Sequence, residues 1–169
     1  ALDENCHLIT SSCLNDVMMA LNDQALDKGL CFVNEVGLDP GIDHLLTHLI
    51  VDAARNAGVL GKGNEIDFIS YCGGFPVVKN DFAYKFSWTP LGVLSALKNP
   101  AQLVQNGVET TIPTAWENIK EISIHDEIFE AYANRNSLPF IKEYSLDQET
   151  NLRTFVRGTL RLSGWEAAW

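Results

Sequence analysis

The sequence predicts an α/β (α+β) chain in two parts. The first is the closing segment of a doubly wound parallel sheet. The second is a mixed-sheet domain with helices packed on one face. Three observations predict it: a strand–helix–strand rhythm in residues 1–36, a long amphipathic helix with turn chemistry at both ends, and, beyond residue 60, short strands that follow one another without long helices.

"HLIT" at 7–10 reads as a strand. Leu14, Val17, Met18, Leu21 and Leu26 recur at helical spacing up to Gly29, and "LCFVNEV" at 30–36 reads as a second strand. A strand, a helix and a strand in this length form a parallel crossover unit, and a parallel pair seldom stands alone. Residues 1–36 are therefore read as the C-terminal part of a dinucleotide-binding type of sheet, and 37–169 as a substrate-binding or dimerisation domain that is itself truncated. The chain opens on Ala1, not Met, and closes on "RLSGWEAAW". The expectation is a piece of a longer polypeptide.

The next helix has Ile42, Leu45, Leu46, Leu49, Ile50, Ala53 and Ala54 on one face, which predicts the buried side. Asp39 suits its N-cap, Pro40 its first position and Gly58 the residue just past its end. "IDFISYC" at 66–72 predicts a strand, "GGFPVVKNDFA" a loop, "YKFSW" extended chain, and "PLGVLSALKNP" a short helix stopped by Asn99-Pro100. "VETTI", "EISI" and "TFVRGTLRL" read as strands of an antiparallel or mixed sheet.

Composition narrows the partners. The chain has 169 residues, 46% of them hydrophobic, with 12 Lys and Arg against 22 Asp and Glu, a net charge of −10. That balance opposes non-specific binding to nucleic acid or to an anionic membrane. No apolar run reaches transmembrane length, and no signal-peptide pattern opens the chain. Cys6, Cys13, Cys31 and Cys72 form no C-x-x-C pair and read as buried reduced thiols, with Cys31 in a buried strand. His44 and His48 stand four apart but lack the Glu of H-E-x-x-H, so no metal site is assigned. "GKG" at 61–63 follows a helix and lacks a third glycine, so it is not a dinucleotide fingerprint.

Three constellations remain. "VGLDPGIDH" brings an aspartate and two glycines to a helix start, where free N–H groups attract anions; Asp39 is either a ligand contact there or only a cap. The last strand places Leu152, Val156, Leu160 and Leu162 on one side and Arg153, Arg157 and Arg161 on the other, three of the five arginines in the chain. Guanidinium groups bind carboxylates in two-pronged fashion, so this face suits a small polycarboxylate, or else it is a solvated face with surface ion pairs. "SYCGG" sets Cys72 at a strand end before two glycines, either against a ligand or as a small packed residue.

"NEVGLDPGIDH", "ISYCGGFP", "YKFSW" followed by "GVLSALKN", "ANRNS" and "VRGTLRLSG" together resemble the glutamate-forming saccharopine dehydrogenases, and the resemblance runs from about Ile9 to Gly164. It implies a Rossmann domain followed by a mixed-sheet substrate domain, with NADP(H) as cofactor. It also implies the interconversion of saccharopine with aminoadipate semialdehyde and glutamate in lysine metabolism. It assigns Thr10, Ser11, Leu38, Asp39, Pro40 and Thr89 to the cofactor. It assigns Ser11, Ser12, Asp39, Arg135, Arg157, Gly158 and Thr159 to the substrate, and Asp39 and Cys72 to the reacting centre, with the turn at 37–41 at a seam between domains. The nucleotide fingerprint of such a protein is expected ahead of Ala1, or else is missing. A family tyrosine is replaced by Cys13, and the loop after Gly74 and residues 108–128 depart from the family pattern. The resemblance leaves room for a homodimer and implies a cytoplasmic location, or a mitochondrial one for an animal bifunctional parent. Two other readings stay open: a non-catalytic anion-binding or dimerisation module of the same fold, and a sibling reductase acting on a carboxylated polyamine imine.

Overall fold

The computed structural model describes every residue except Trp88. The chain folds as two compact units, Ala1–Ala53 and Ala54–Trp169.

In the first unit, β1 (Leu8–Ile9) and β2 (Phe32–Val33) form the expected parallel pair, with Leu8 opposite Phe32 and Ile9 opposite Val33. The single helix expected between them is two short ones, α1 (Asp16–Met19) and α2 (Asn22–Asp27). The break comes where the Leu21 N–H reaches back only three residues, to Met18, and tightens the turn. Asn15 caps α1 by accepting from the Met18 N–H at 3.0 Å. Of these helices only Ala25 is buried, while Val17 and Leu26 are exposed.

Helix α3 (Ile42–Asn56) contains the boundary between the units. Its end matches expectation. Gly58, at a φ of 67°, donates to Arg55 at 2.9 Å, and Val59 donates to Ala54 at 3.0 Å, the paired closure of a Schellman motif. Its start does not. The helix begins at Ile42, so Gly41 holds the N-cap position and Pro40 is not the first helical residue. The turn closes on itself first, the Pro40 carbonyl accepting from the Gly37 N–H at 3.0 Å. The buried face also differs: His44, Thr47 and Val51 are buried, while Ile42, Leu45, Leu46, Leu49 and Ile50 are exposed. Periodicity locates an apolar stripe, but what covers it depends on neighbours that the stripe does not name.

The second unit is built on a six-stranded mixed sheet in the order β5-β4-β8-β7-β6, with β3 also paired to β8. Its strands are β3 (Ile66–Cys72), β4 (Ala101–Gln105), β5 (Val108–Ile112), β6 (Lys120–Ile124), β7 (Glu127–Ala133) and β8 (Leu152–Leu162). β3 lies parallel to β8, and β4 and β7 lie antiparallel to it. β4 and β7 go beyond the strands that the sequence pattern predicts: "AQLVQ" and "EIFEAYA" carry no clean two-residue alternation. Residues 84–87 of the "YKFSW" stretch join no strand, and its Trp88 lies outside the described residues.

The two faces of this sheet differ. One carries Ala101, Leu103, Ile112, Ala133 and Val156 with Tyr71 packed against them, beside a cavity of about 250 Å³. The other receives α4 (Pro90–Ala96), α5 (Pro139–Glu143) and α6 (Trp165–Ala168). There Val93, Leu97 and Trp165 pack on Tyr132 and Tyr84, and Phe68 stacks on Phe155 at a centroid distance of 4.6 Å, with Tyr144 beside them. Gly158 leaves room where β7, β8 and β3 lie side by side. A Cβ there would stand 2.5 Å from both the Tyr132 carbonyl oxygen and the Tyr71 ring.

Candidate functional site

In the first unit, the 10–12 turn and the 35–41 turn follow the C-terminal ends of the parallel strands, where open α/β sheets carry their ligands. Backbone bonds lock the two turns together. Thr10 donates to Val33 at 2.9 Å, Val36 donates to Thr10 at 3.1 Å, and Glu35 donates to Ser12 at 3.1 Å. A Cβ on Gly37 would come within 3.2 Å of the Ser11 Cβ. Gly41, at a φ of 144°, has backbone close around it: a Cβ would collide with the carbonyls of Gly37 and Glu35. Thr10, Ser11, Ser12, Leu38, Asp39 and Pro40 are thus gathered in one place by local folding. Ser11, Ser12, Leu38 and Asp39 are exposed, and Thr10 and Pro40 are half-buried. The Asp39–Pro40 peptide is cis. Behind the turn, His44 lies 3.8 Å from a Glu35 oxygen and 3.9 Å from an Asp43 oxygen.

In the second unit, strand register sets the site. Tyr132, Thr159 and Cys72 are consecutive partners across β7, β8 and β3, so their side chains form one row on one face. Cys72 and Thr159 are half-buried. Two residues along β8, the Arg157 guanidinium stacks over the Phe140 ring at 4.1 Å. A turn grips the Arg157 peptide on both sides: its N–H donates to the fully buried Ser137 hydroxyl at 3.0 Å, and its carbonyl accepts from the Asn134 N–H at 3.0 Å. Arg135 sits in that turn, exposed and at a φ of 56°. The expected neighbourhood of Arg135 and Arg157 is therefore present in the backbone.

The three arginines of β8 do not converge on one ligand. Alternation sets them four residues apart, about 13 Å from one to the next. Arg153 is exposed and forks onto Asp67, with Glu65 at 3.6 Å. That hydrogen-bonded guanidinium draws the Asp67 carboxyl down from 3.8 to about 2, and the carboxylate in turn raises Arg153 itself. Arg161 is buried among Tyr84, Trp165 and Tyr132, its guanidinium carbon 4.9, 5.3 and 5.4 Å from their ring centroids. One nitrogen donates to the Tyr132 hydroxyl at 2.7 Å and another to the Leu160 carbonyl at 3.0 Å. The surface ion-pair reading holds for Arg153, an aromatic cage holds Arg161, and Arg157 is the member set beside the Thr159–Cys72 row.

The expectation of buried cysteines needs correction for three of the four. Cys31 is exposed, not buried, and its N–H donates to the His7 ring at 2.9 Å; Cys6 and Cys13 are exposed as well. The strand expected to bury Cys31 begins only at Phe32. Thr89 is the N-cap of α4 and accepts from the Gly92 N–H at 3.3 Å. Gly158 has a packing reason, since it makes room for Tyr71. The Tyr132–Arg161 pair is not legible in the sequence. Tyr132 lies in β7, which shows no alternation, and its neighbours Tyr84 and Trp165 are remote in sequence.

Comparison with known proteins settles the family. The family model for the saccharopine dehydrogenase C-terminal domain matches residues 37–169. The chain belongs to the saccharopine dehydrogenase family. Among curated saccharopine dehydrogenase relatives, the NADP(+), L-glutamate-forming protein of Pyricularia oryzae is 38% identical over 171 residues, covering 98% of this chain and 36% of the relative. The alpha-aminoadipic semialdehyde synthase of Arabidopsis thaliana is 34% identical, covering 94% of this chain and 15% of the relative. A solved structure of apo saccharopine dehydrogenase (L-Glu forming) from Saccharomyces cerevisiae matches at a TM-score of 0.80 and 33% identity, over 98% of this chain and 37% of that one. The chain thus spans about a third of the length of the saccharopine dehydrogenases it matches.

Proposed function

We propose that this chain is the substrate-binding part of an NADP(H)-dependent saccharopine dehydrogenase that interconverts saccharopine with aminoadipate semialdehyde and glutamate. The observation that carries this reading is similarity across 98% of the chain to a protein named as that dehydrogenase. The chemistry of the residues supports it. Saccharopine bears three carboxylates, and Arg157 presents a planar guanidinium braced on Phe140, the arrangement suited to a two-pronged carboxylate contact. Arg135 and Thr159 add donors beside it, and Ser11 and Ser12 are assigned to the same substrate. Asp39 takes and returns the proton of the reacting amine, a task for an ionisable carboxylate. Cys72 is assigned to the reacting centre, in the row shared with Thr159.

NADP supplies or accepts the hydride when it is bound. The residues present fit its nicotinamide end. Exposed hydroxyls at 11 and 12 and an exposed turn at 38–39 follow the carboxyl ends of parallel strands. Thr10, Ser11, Leu38, Asp39 and Pro40 would hold that end, and Thr89 is assigned to the same cofactor by the family resemblance alone. No stretch of the 169 residues carries the glycine fingerprint that holds a pyrophosphate. The test is an assay of the full-length protein for saccharopine-dependent NADP reduction. Turnover with saccharopine and none with carboxylated polyamine analogues supports the reading. NADP binding without any saccharopine turnover sinks it.

A further inference from the structure

Arg157 sits at a seam in the sheet. β8 pairs with β4 at Phe155 and with β7 from Gly158 onward, and Arg157 lies between the two pairings. Its peptide groups go instead to the turn at 134–137 that follows β7. The Asn134 N–H donates to the Arg157 carbonyl, and the Arg157 N–H donates to the Ser137 hydroxyl, both at 3.0 Å. The same turn is also fastened to β4. The Ser137 N–H donates to the Gln102 carbonyl at 2.8 Å, and the Gln102 N–H donates to the Arg135 carbonyl at 2.9 Å.

Ser137 is common to both attachments. Its side chain holds β8 and its backbone holds β4. It is 0% exposed, so no ligand reaches it. A hydroxyl in so dry a place costs free energy unless it is hydrogen-bonded. Taking the Arg157 N–H, at the point where β8 changes partner, gives it that bond. Two residues earlier, Arg135 has a φ of 56°, a left-handed conformation that a residue with a side chain keeps only when its surroundings fix it. Just beyond Ser137 the chain enters α5, whose Phe140 ring lies against the Arg157 guanidinium at 4.1 Å. One short segment thus carries Arg135 and grips Arg157 by backbone and by side chain.

We infer that Ser137 is a positioning residue that fixes the spacing between Arg135 and Arg157, and with it the spacing at which the carboxylates of an amino-acid substrate are met. The inference rests on the proposed function, which assigns both arginines to the substrate. It adds a buried residue that touches no ligand.

The test uses the full-length protein and calorimetric titration with saccharopine and with NADP. Ser137→Ala removes the hydroxyl and leaves both arginines in the chain. The dissociation constant for saccharopine should rise about tenfold, the size of one lost hydrogen bond, while that for NADP stays put. Ser137→Cys keeps the volume with a weaker acceptor and should fall between Ser137→Ala and the wild type. It carries the comparison if the alanine variant does not fold. Spacing matters only while both arginines are present. In an Arg135→Ala background, itself weakened for saccharopine, the change at Ser137 should therefore add nothing further. An unaltered saccharopine constant in the Ser137 variants overturns the inference, even if the melting temperature falls. So does a penalty as large in the Arg135→Ala background as in the wild type. In both cases a weakened Arg135→Ala leaves the proposed function standing. An Arg135→Ala protein with full saccharopine affinity removes that arginine from the substrate site and the inference with it. A wild-type protein without saccharopine turnover removes the function first.

Discussion

Asp39 lies three residues ahead of α3, in an exposed turn held by Gly37 and Gly41, and the N-cap position belongs to Gly41. A neutral isostere should therefore leave the helix in place. In the full-length protein, Asp39→Asn should lower kcat by about a hundredfold and flatten one limb of its pH profile, the signature of a lost acid–base group. A steady-state pH series checks this, and an unchanged profile removes Asp39 from the chemistry. Arg157 offers a different contrast. Lysine keeps the charge but loses the fork and the flat stack on Phe140. Arg157→Lys should weaken saccharopine binding by about 1–3 kcal/mol while NADP affinity holds. Calorimetric titration with each ligand measures both, and equal losses for the two would place the arginine elsewhere.

β8 is the strand on which the second unit depends, because it pairs with β3, β4 and β7. Gly158 stands where its neighbours come closest. Gly158→Ala should cost about 1–3 kcal/mol of stability, since the new methyl meets the Tyr71 ring and a backbone oxygen, and the backbone cannot retreat. Denaturant unfolding reads this directly. The Asp67–Arg153 fork ties β3 to β8 and makes that tie acid-sensitive. The folded carboxyl titrates at about 2 instead of 3.8, so its contribution is whole above the upper value and fades as pH falls toward the lower. Melting curves taken through that acid range should show a shallower decline for Asp67→Asn than for the wild type. The group is exposed, so the difference should be small and should shrink further in salt.

The residues proposed to bind substrate occur here without a pyrophosphate-binding fingerprint. The 169 residues alone should therefore show no saccharopine-dependent NADP reduction, because hydride transfer requires a positioned cofactor. A spectrophotometric assay at ordinary enzyme concentration checks this, and steady turnover would refute it.

Local chemistry in the chain is enough to specify the parallel pair β1 and β2, the bounds of β3, the Schellman end of α3 and the long final strand. Each follows from short-range rules: alternation, a glycine past a helix end, a run of β-branched and aromatic residues. The 37–41 turn is legible for the same reason, in its Asp, Pro and two glycines, whereas the backbone bonds that tie residues 10–12 to residues 33–36 are not. Long-range packing decides everything that depends on who faces whom. It divides three look-alike arginines into an exposed ion pair, a ring-stacked guanidinium and a caged charge, because Asp67, Phe140 and Tyr84 reach them from distant parts of the chain. It exposes the apolar stripe of α3 and buries His44, Thr47 and Val51 instead. It also places Tyr132 beside Thr159. A strand without alternation gives no hint of its partner, and register is a property of the sheet, not of either strand.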